Sequence, residues 1–240
     1  MDNIYLSVII PCFNEKKTIL EVLKRIKRLK NIKKQIILID DNSNDGTKEL
    51  IKSKILNKVD HVIFHNKNSG KGAAIISSLK YIKGNIVLIQ DADLEYNPKD
   101  FFKLLKPFKN KNIKVVYGSR VLGRKKISLF YHLSNFSKSF RIFCNYILTK
   151  ISNYINNQSL TDAHTCYKVF RTKIFLKLKI QEKGFSFCPE VTTKLSNMSC
   201  PIIEVPISYK GRAFKDGKKI RFKDAIIALF TICKYKYLMQ

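Results

Sequence analysis

Asp91 and Asp93 stand one residue apart at the end of the apolar run Ile86–Gln90. Two carboxylates that close repel each other unless a positive charge joins them. A hard divalent cation that keeps positions open for phosphate oxygens is the natural solution. Other apolar runs end in similar polar tips: Pro11-Cys12-Phe13-Asn14-Glu15, Asp40-Asp41-Asn42-Ser43 and Gly118-Ser119-Arg120. Loop acids also act as turn formers and helix caps. That reading is favoured for Asp45-Gly46, but not for the pair at the end of a buried strand. No GxGxxG or GxxxxGK[ST] loop occurs. Asn68-Ser69-Gly70-Lys71-Gly72 has the wrong spacing for a phosphate loop and reads as a turn into a helix, with Lys71 facing the site as the alternative.

The elements that must position these tips alternate. Leu6–Pro11, Gln35–Ile39, Asp60–His65, Ile86–Gln90 and Lys114–Gly118 read as strands. Between them, Glu15 to Leu29, Thr47 to Leu56, Gly70 to Tyr81 and Pro98 to Phe108 carry helical spacing. The rhythm predicts a parallel α/β sheet, and strands that are continuously apolar predict helices on both faces. Ligands of such sheets bind beyond the carboxyl ends of the strands, where the four polar tips would form one rim. The second half is less regular: helix over 127–155, strands at Cys166–Phe170 and Ile202–Ser208, helices at Phe187–Asn197 and Phe222–Tyr237, and a basic loop from Tyr209 to Lys219. No repeat or linker splits the 240 residues, so one domain is expected.

Composition narrows the function classes. An apolar content of 45% supports a real core and excludes wholesale disorder. Forty-six Lys and Arg against 18 Asp and Glu leave a net charge of +28, which implies an anionic partner. The excess is mostly lysine beside abundant Ile and Asn, a bias that AT-rich coding would also produce. A basic nucleic-acid-binding module fits the charge but leaves the acidic strand tips unexplained, since carboxylates repel a phosphate backbone; no nucleic-acid partner is expected. Six scattered cysteines without CxxC spacing indicate neither a zinc site nor a disulfide framework. No secretory signal and no run of about 18 apolar residues are visible. The expected location is cytoplasmic.

Three ordered motifs, Ser7–Glu15, Ile39–Thr47 and Gln90–Glu95, resemble the family 2 glycosyltransferases, inverting enzymes of the GT-A fold. Leu160-Thr161-Asp162, Cys166–Arg171, Glu204-Val205-Pro206-Ile207 and Arg212 with Lys218-Lys219 are similar to the dolichyl-phosphate mannosyltransferase and polyprenyl-phosphate glycosyltransferase branch. The resemblance implies a Rossmann-like GT-A domain over 1–240, its mostly parallel central sheet flanked by helices, with a nucleotide-sugar half (1–120) and an acceptor and membrane-interface half (121–240). It implies that Pro11, Phe13, Glu15 and Asp40 line the base and ribose pocket and that Asp91, Ala92 and Asp93 meet the donor diphosphate. Asp91, Asp93 and Glu95 would hold Mg²⁺ or Mn²⁺. Arg120, Arg212 and Lys218 would clamp phosphates, and Asp162 would orient the acceptor or an arginine, a structural cap being the alternative. Phe13 and Glu95 depart from the Tyr and Gln frequent in the family.

The implied donor is a nucleotide-sugar of the GDP-mannose or UDP-glucose type, and the implied acceptor is a polyprenyl phosphate. A glycan acceptor and an inactive scaffold are the alternatives. Arg124-Lys125-Lys126 precedes an aromatic-rich stretch, Leu129, Phe130, Tyr131, Leu133, Phe136, Phe140, Phe143, Tyr146 and Ile147, interleaved with polar positions. It reads as an amphipathic helix suited to a bilayer interface, against the alternative of a core helix. Residues 124–155 and 222–237 are therefore expected to give peripheral contact on the cytosolic membrane face. With the chain ending at Gln240, a membrane-anchoring partner protein is a further expectation.

Overall fold

The computed structural model describes residues 3–123, 136–212 and 222–239. Seven strands are found among them: β1 (Tyr5–Cys12), β2 (Lys33–Asp40), β3 (His61–Phe64), β4 (Ile86–Ile89), β5 (Val115–Ser119), β6 (Lys168–Arg171) and β7 (Ile202–Pro206). They form one sheet in the order β3-β2-β1-β4-β6-β5-β7. All five strands expected in the first half are present. Ile86 to Ile89 are buried without alternation, as are Val8, Ile9 and Ile10, because side chains on both faces meet a covering layer. Each such side chain, taken from water, contributes about 1.5–3 kcal/mol.

The helices are α1 (Ile19–Lys27), α2 (Thr47–Lys54), α3 (Lys71–Ser78), α4 (Phe101–Leu105), α5 (Phe136–Asn156), α6 (Thr172–Lys177), α7 (Phe187–Asn197) and α8 (Phe222–Cys233), the last continuing as a π-helical turn, Lys234–Leu238. In α1, Ile19, Val22, Leu23 and Ile26 are buried, the stripe a 3.6-residue period places on one side. The expected helix at Pro98–Phe108 is broken into 3₁₀, α and 3₁₀ segments, with a proline at the first or second position of each 3₁₀ segment. α3 packs on β1 and β2, and α5 packs on α8.

The sheet is mostly parallel, as the resemblance implied. β4 and β5 are not neighbours; β6 lies between them, antiparallel to both. The alternation of the first half pointed to a parallel sheet, but strand β6 comes from the second half and fills the gap. Consecutive parallel strands also change direction of progression between β1 and β4, the switch point at which such sheets bind ligands.

Candidate active site

Register brings the tips level. Cys12 pairs with Asp40 and Ile9 with Ile89, so β1, β2 and β4 end on the same edge. Antiparallel β6 starts where β5 ends, Lys168 opposite Tyr117, and therefore delivers Asp162 to Tyr167 to that edge too. The tips turn sharply. Asn14 and Asn42 take left-handed backbone angles, which Asn tolerates well. Leu94 does so as well, at φ +61°, a conformation unfavourable for its side chain. The turn is held by the Glu95 N–H, which donates to Asp93 Oδ1 at 3.0 Å.

Two cations serve the acids of the β4 tip. Lys71, the first residue of α3, places Nζ 2.6 Å from Asp91 Oδ1 and 3.3 Å from Cys166 Sγ. Its position is fixed from two sides. Asp41 accepts hydrogen bonds from the Ser69 and Gly70 N–H groups. Gly72 allows the Glu182 carbonyl to approach where a Cβ would collide. Arg212 reaches the next acid: Nη2 lies 3.1 Å from Asp93 Oδ2 and 3.0 Å from Glu15 Oε1, with Nη1 3.1 Å from Glu15 Oε2. Glu95 accepts from the Arg212 N–H at 2.7 Å and from the Tyr209 hydroxyl at 2.6 Å.

The electrostatics of the two aspartates diverge. Burial pushes the Asp91 carboxyl up, but the Lys71 ammonium more than offsets this and the net direction is down. Asp93 is pushed up to about 7 by burial and then by the neighbouring Asp91 and Glu95, despite Arg212. The donor set is entirely carboxylate oxygen, and its crowded negative charge suits a hard divalent cation at Asp91 and Asp93. Among the described residues no trio of Asp, Glu, His or Cys converges on a single ion position. Glu95, expected as a third ligand, directs its carboxylate to Tyr209 and the Arg212 backbone.

A second ionic unit lies across the rim. Arg120 Nε and Nη2 each donate to Asp162 at 2.7 Å, and the Arg120 N–H adds a third bond at 3.0 Å. Asp162 is fully buried. Burial pushes its carboxyl up, and Arg120 more than offsets that, holding it below the ordinary carboxylate range. Asp162 thus meets Arg120 directly, the contact that orienting an arginine would need. Glu204 braces the unit by accepting from the Asp162 N–H and from the N–H and hydroxyl of Thr161. Asn145 of α5 joins both partners at 3.4 Å. Tyr209 links the two units: its ring lies 5.1 Å from the Arg120 guanidinium carbon, and its hydroxyl bonds Glu95.

Of the remaining expected residues, Asp40 is fully buried with Oδ2 accepting from the Ser43 N–H and Oδ1 without a hydrogen-bond partner. Pro11 and Phe13 are half-buried and Ala92 buried at the same edge. Lys218, Lys219 and residues 124–135 lie outside the described residues. Sequence reading left Asn145, Tyr209 and Glu204 without these roles. For Glu204 the only signal was its motif. For Lys71 it was a glycine-flanked lysine at a helix start.

On this geometry, likeness to known proteins is informative. An uncharacterized Methanocaldococcus jannaschii protein is 28% identical over 209 residues, 83% of this chain and 86% of that one. A dolichol-phosphate mannosyltransferase of Pyrococcus furiosus is 27% identical over 214 residues, covering 88% of this chain; this chain spans 58% of its length. Another uncharacterized M. jannaschii protein, 33% identical over 136 residues, is spanned to 55% of its length. Glucosyl-3-phosphoglycerate synthase from Mycobacterium tuberculosis, in complex with Mn²⁺, UDP and glucosyl-3-phosphoglycerate, shares the fold: the TM-score is 0.72 at 16% identity, over 100% of this chain and 82% of that one. The Glycosyl transferase family 2 model matches residues 7–179, from the first polar strand tip through the Arg120–Asp162 pair, and the chain belongs to that family.

Proposed function

We propose that this glycosyltransferase moves a hexose from a nucleoside-diphosphate sugar to a polyprenyl phosphate at a membrane surface, with inversion. One observation carries the choice of acceptor. Helix α5 joins the ionic rim to exposed apolar surface: Asn145 contacts Arg120 and Asp162, while Phe143, Tyr146 and Ile147 on adjacent positions are 57, 55 and 40% exposed. Helix α8, packed beside it, exposes Ile226, Ile227 and Phe230. An acceptor that is anionic at one end and apolar along its length suits that juxtaposition, and a charge of +28 favours an anionic bilayer. No helix among the described residues is long and apolar enough to cross a membrane, so contact would be interfacial.

The donor would lie over the ends of β1, β2 and β4. The unpartnered Asp40 Oδ1 is an acceptor only, so it favours a base that presents a ring N–H, as uracil and guanine do. Asp91 and Asp93 would hold Mg²⁺ or Mn²⁺, which when bound neutralises charge developing on the departing diphosphate. Arg120, held rigid by Asp162, would place the acceptor phosphate. A phosphate oxygen is already ionised at neutral pH, so it can attack the anomeric carbon without a strong general base. Displacement from the face opposite the leaving diphosphate inverts that centre. The dolichol-phosphate mannosyltransferase relative supports the acceptor class, and the UDP and Mn²⁺ of the structural neighbour support the donor class and metal.

The test is turnover of UDP-glucose and GDP-mannose, with Mn²⁺ or Mg²⁺, offered polyprenyl phosphate in anionic vesicles, 3-phosphoglycerate or a soluble glycan. Transfer to the lipid phosphate alone is expected, lost with EDTA and falling about 10²–10³-fold in Asp93→Asn. Transfer to 3-phosphoglycerate or glycan, with none to lipid phosphate, would reject the acceptor assignment. In the same assay Phe143→Asp with Phe230→Asp should abolish co-sedimentation with vesicles while leaving thermal stability unchanged.

A further inference from the structure

Arg212 does more than its expected duty as a phosphate clamp. Its guanidinium is inserted among three acids contributed by two strand tips: a two-point pair with Glu15 after β1, a 3.1 Å contact with Asp93 after β4, and Nε 3.9 Å from Glu95. Its backbone N–H also binds Glu95. The acids are 6, 15 and 9% exposed at the side chain, so the cation compensates them in poorly solvated surroundings. A guanidinium in that position and a divalent ion on Asp93 would claim the same carboxylate oxygen, Oδ2. They would also repel each other at contact distance. Asp93 therefore already holds an internal cation, from a residue 119 positions away in the chain.

We propose that Arg212 is an internal counter-cation of the donor site that must leave Asp93 when a divalent cation enters, and that the donor diphosphate receives it. Cation entry is then weak before the nucleotide arrives and strong afterwards, because the diphosphate offers the displaced guanidinium a second anion of suitable geometry. Metal and nucleotide would bind with positive coupling, and Arg212 is the residue that couples them. Arg120 offers a contrast: its carboxylate partner is matched one to one and braced by Glu204, so it has no reason to move. The inference rests on the proposed reading of Asp93 as a metal ligand.

Free Mn²⁺ measured by electron paramagnetic resonance, with and without saturating UDP or GDP, tests it. Without nucleotide, Arg212→Gln should bind Mn²⁺ about tenfold more tightly than wild type, while Arg212→Lys, which keeps the charge, should stay near wild type. With nucleotide, the tightening of Mn²⁺ seen in wild type should shrink about tenfold in Arg212→Gln. Thermal melting and far-UV circular dichroism establish that each variant is folded, and Arg212→Lys supplies the comparison if the glutamine variant is not. Equal or weaker Mn²⁺ binding by Arg212→Gln without nucleotide, or undiminished coupling with it, would overturn the inference alone. Mn²⁺ binding by no variant, or binding unaffected by Asp93→Asn, would overturn it together with the metal reading of Asp93.

Discussion

The β4 tip and the Arg120–Asp162 unit face the same rim, yet their charges are arranged on opposite plans. At Asp162 one fully buried carboxylate meets one guanidinium through two 2.7 Å bonds. His164, two residues on, is pushed down to about 4 by burial and then by Lys168, and its Nε2 has no hydrogen-bond partner. Around the β4 tip three acids, Glu15 after β1 with Asp93 and Glu95, share Arg212, and burial with the neighbouring acids pushes Asp93 up to about 7. A matched pair is a fixture that positions its members. A cation shared among several acids can be given up by one of them when another cation arrives. On the proposed reading, one unit aims an acceptor phosphate and the other accepts metal and diphosphate.

The comparison predicts unequal responses to mutation. Asp162→Ala strands the Arg120 charge in a site that is nearly dry, and should cost about 3–5 kcal/mol in urea denaturation. A cost under about 1 kcal/mol would mean that the unit is no fixture. Tyr209→Phe cuts the hydroxyl bond to Glu95 while keeping the ring against Arg120. It should cost about 1.5 kcal/mol, and a double-mutant cycle with Glu95→Gln should recover most of that as coupling. Smallest at neutral pH is His164→Gln. With the folded-state pKa depressed to about 4 against an unfolded value near 6.5, the unfolded chain binds the proton more readily. Stability contributed by neutral His164 is therefore present above pH ~6.5 and declines as pH falls toward ~4. Urea denaturation across that window should show a shallower decline in His164→Gln; matching slopes would remove His164 as a source of that decline.

Much of the fold was legible because burial on both faces leaves a direct mark, a continuous apolar run such as Ile86–Ile89 ending in acids. Asp91, Asp93 and Arg120 were legible for a second reason: a polar residue at the end of such a run has only the rim to occupy; Asp162 was legible only through the motif that resembles the family. Helix boundaries were less so. Pro98–Phe108 kept helical spacing, but the backbone there tightens into 3₁₀ turns where prolines remove donors. The antiparallel insertion of β6 was not legible, because Lys168–Arg171 carries the same short apolar pattern whichever way it pairs.

By itself the amino-acid sequence determined which residues stand at strand ends, and hence that the site would be acidic within a strongly basic chain. Only the tertiary structure decided which cation serves which acid: Lys71 for Asp91, Arg120 for Asp162, and Arg212 shared among Glu15, Asp93 and Glu95. The physical reason is that hydrophobic periodicity records only whether a side chain meets water. Ion pairing depends on a few ångströms between segments up to 197 positions apart, and that separation is set by sheet order and register.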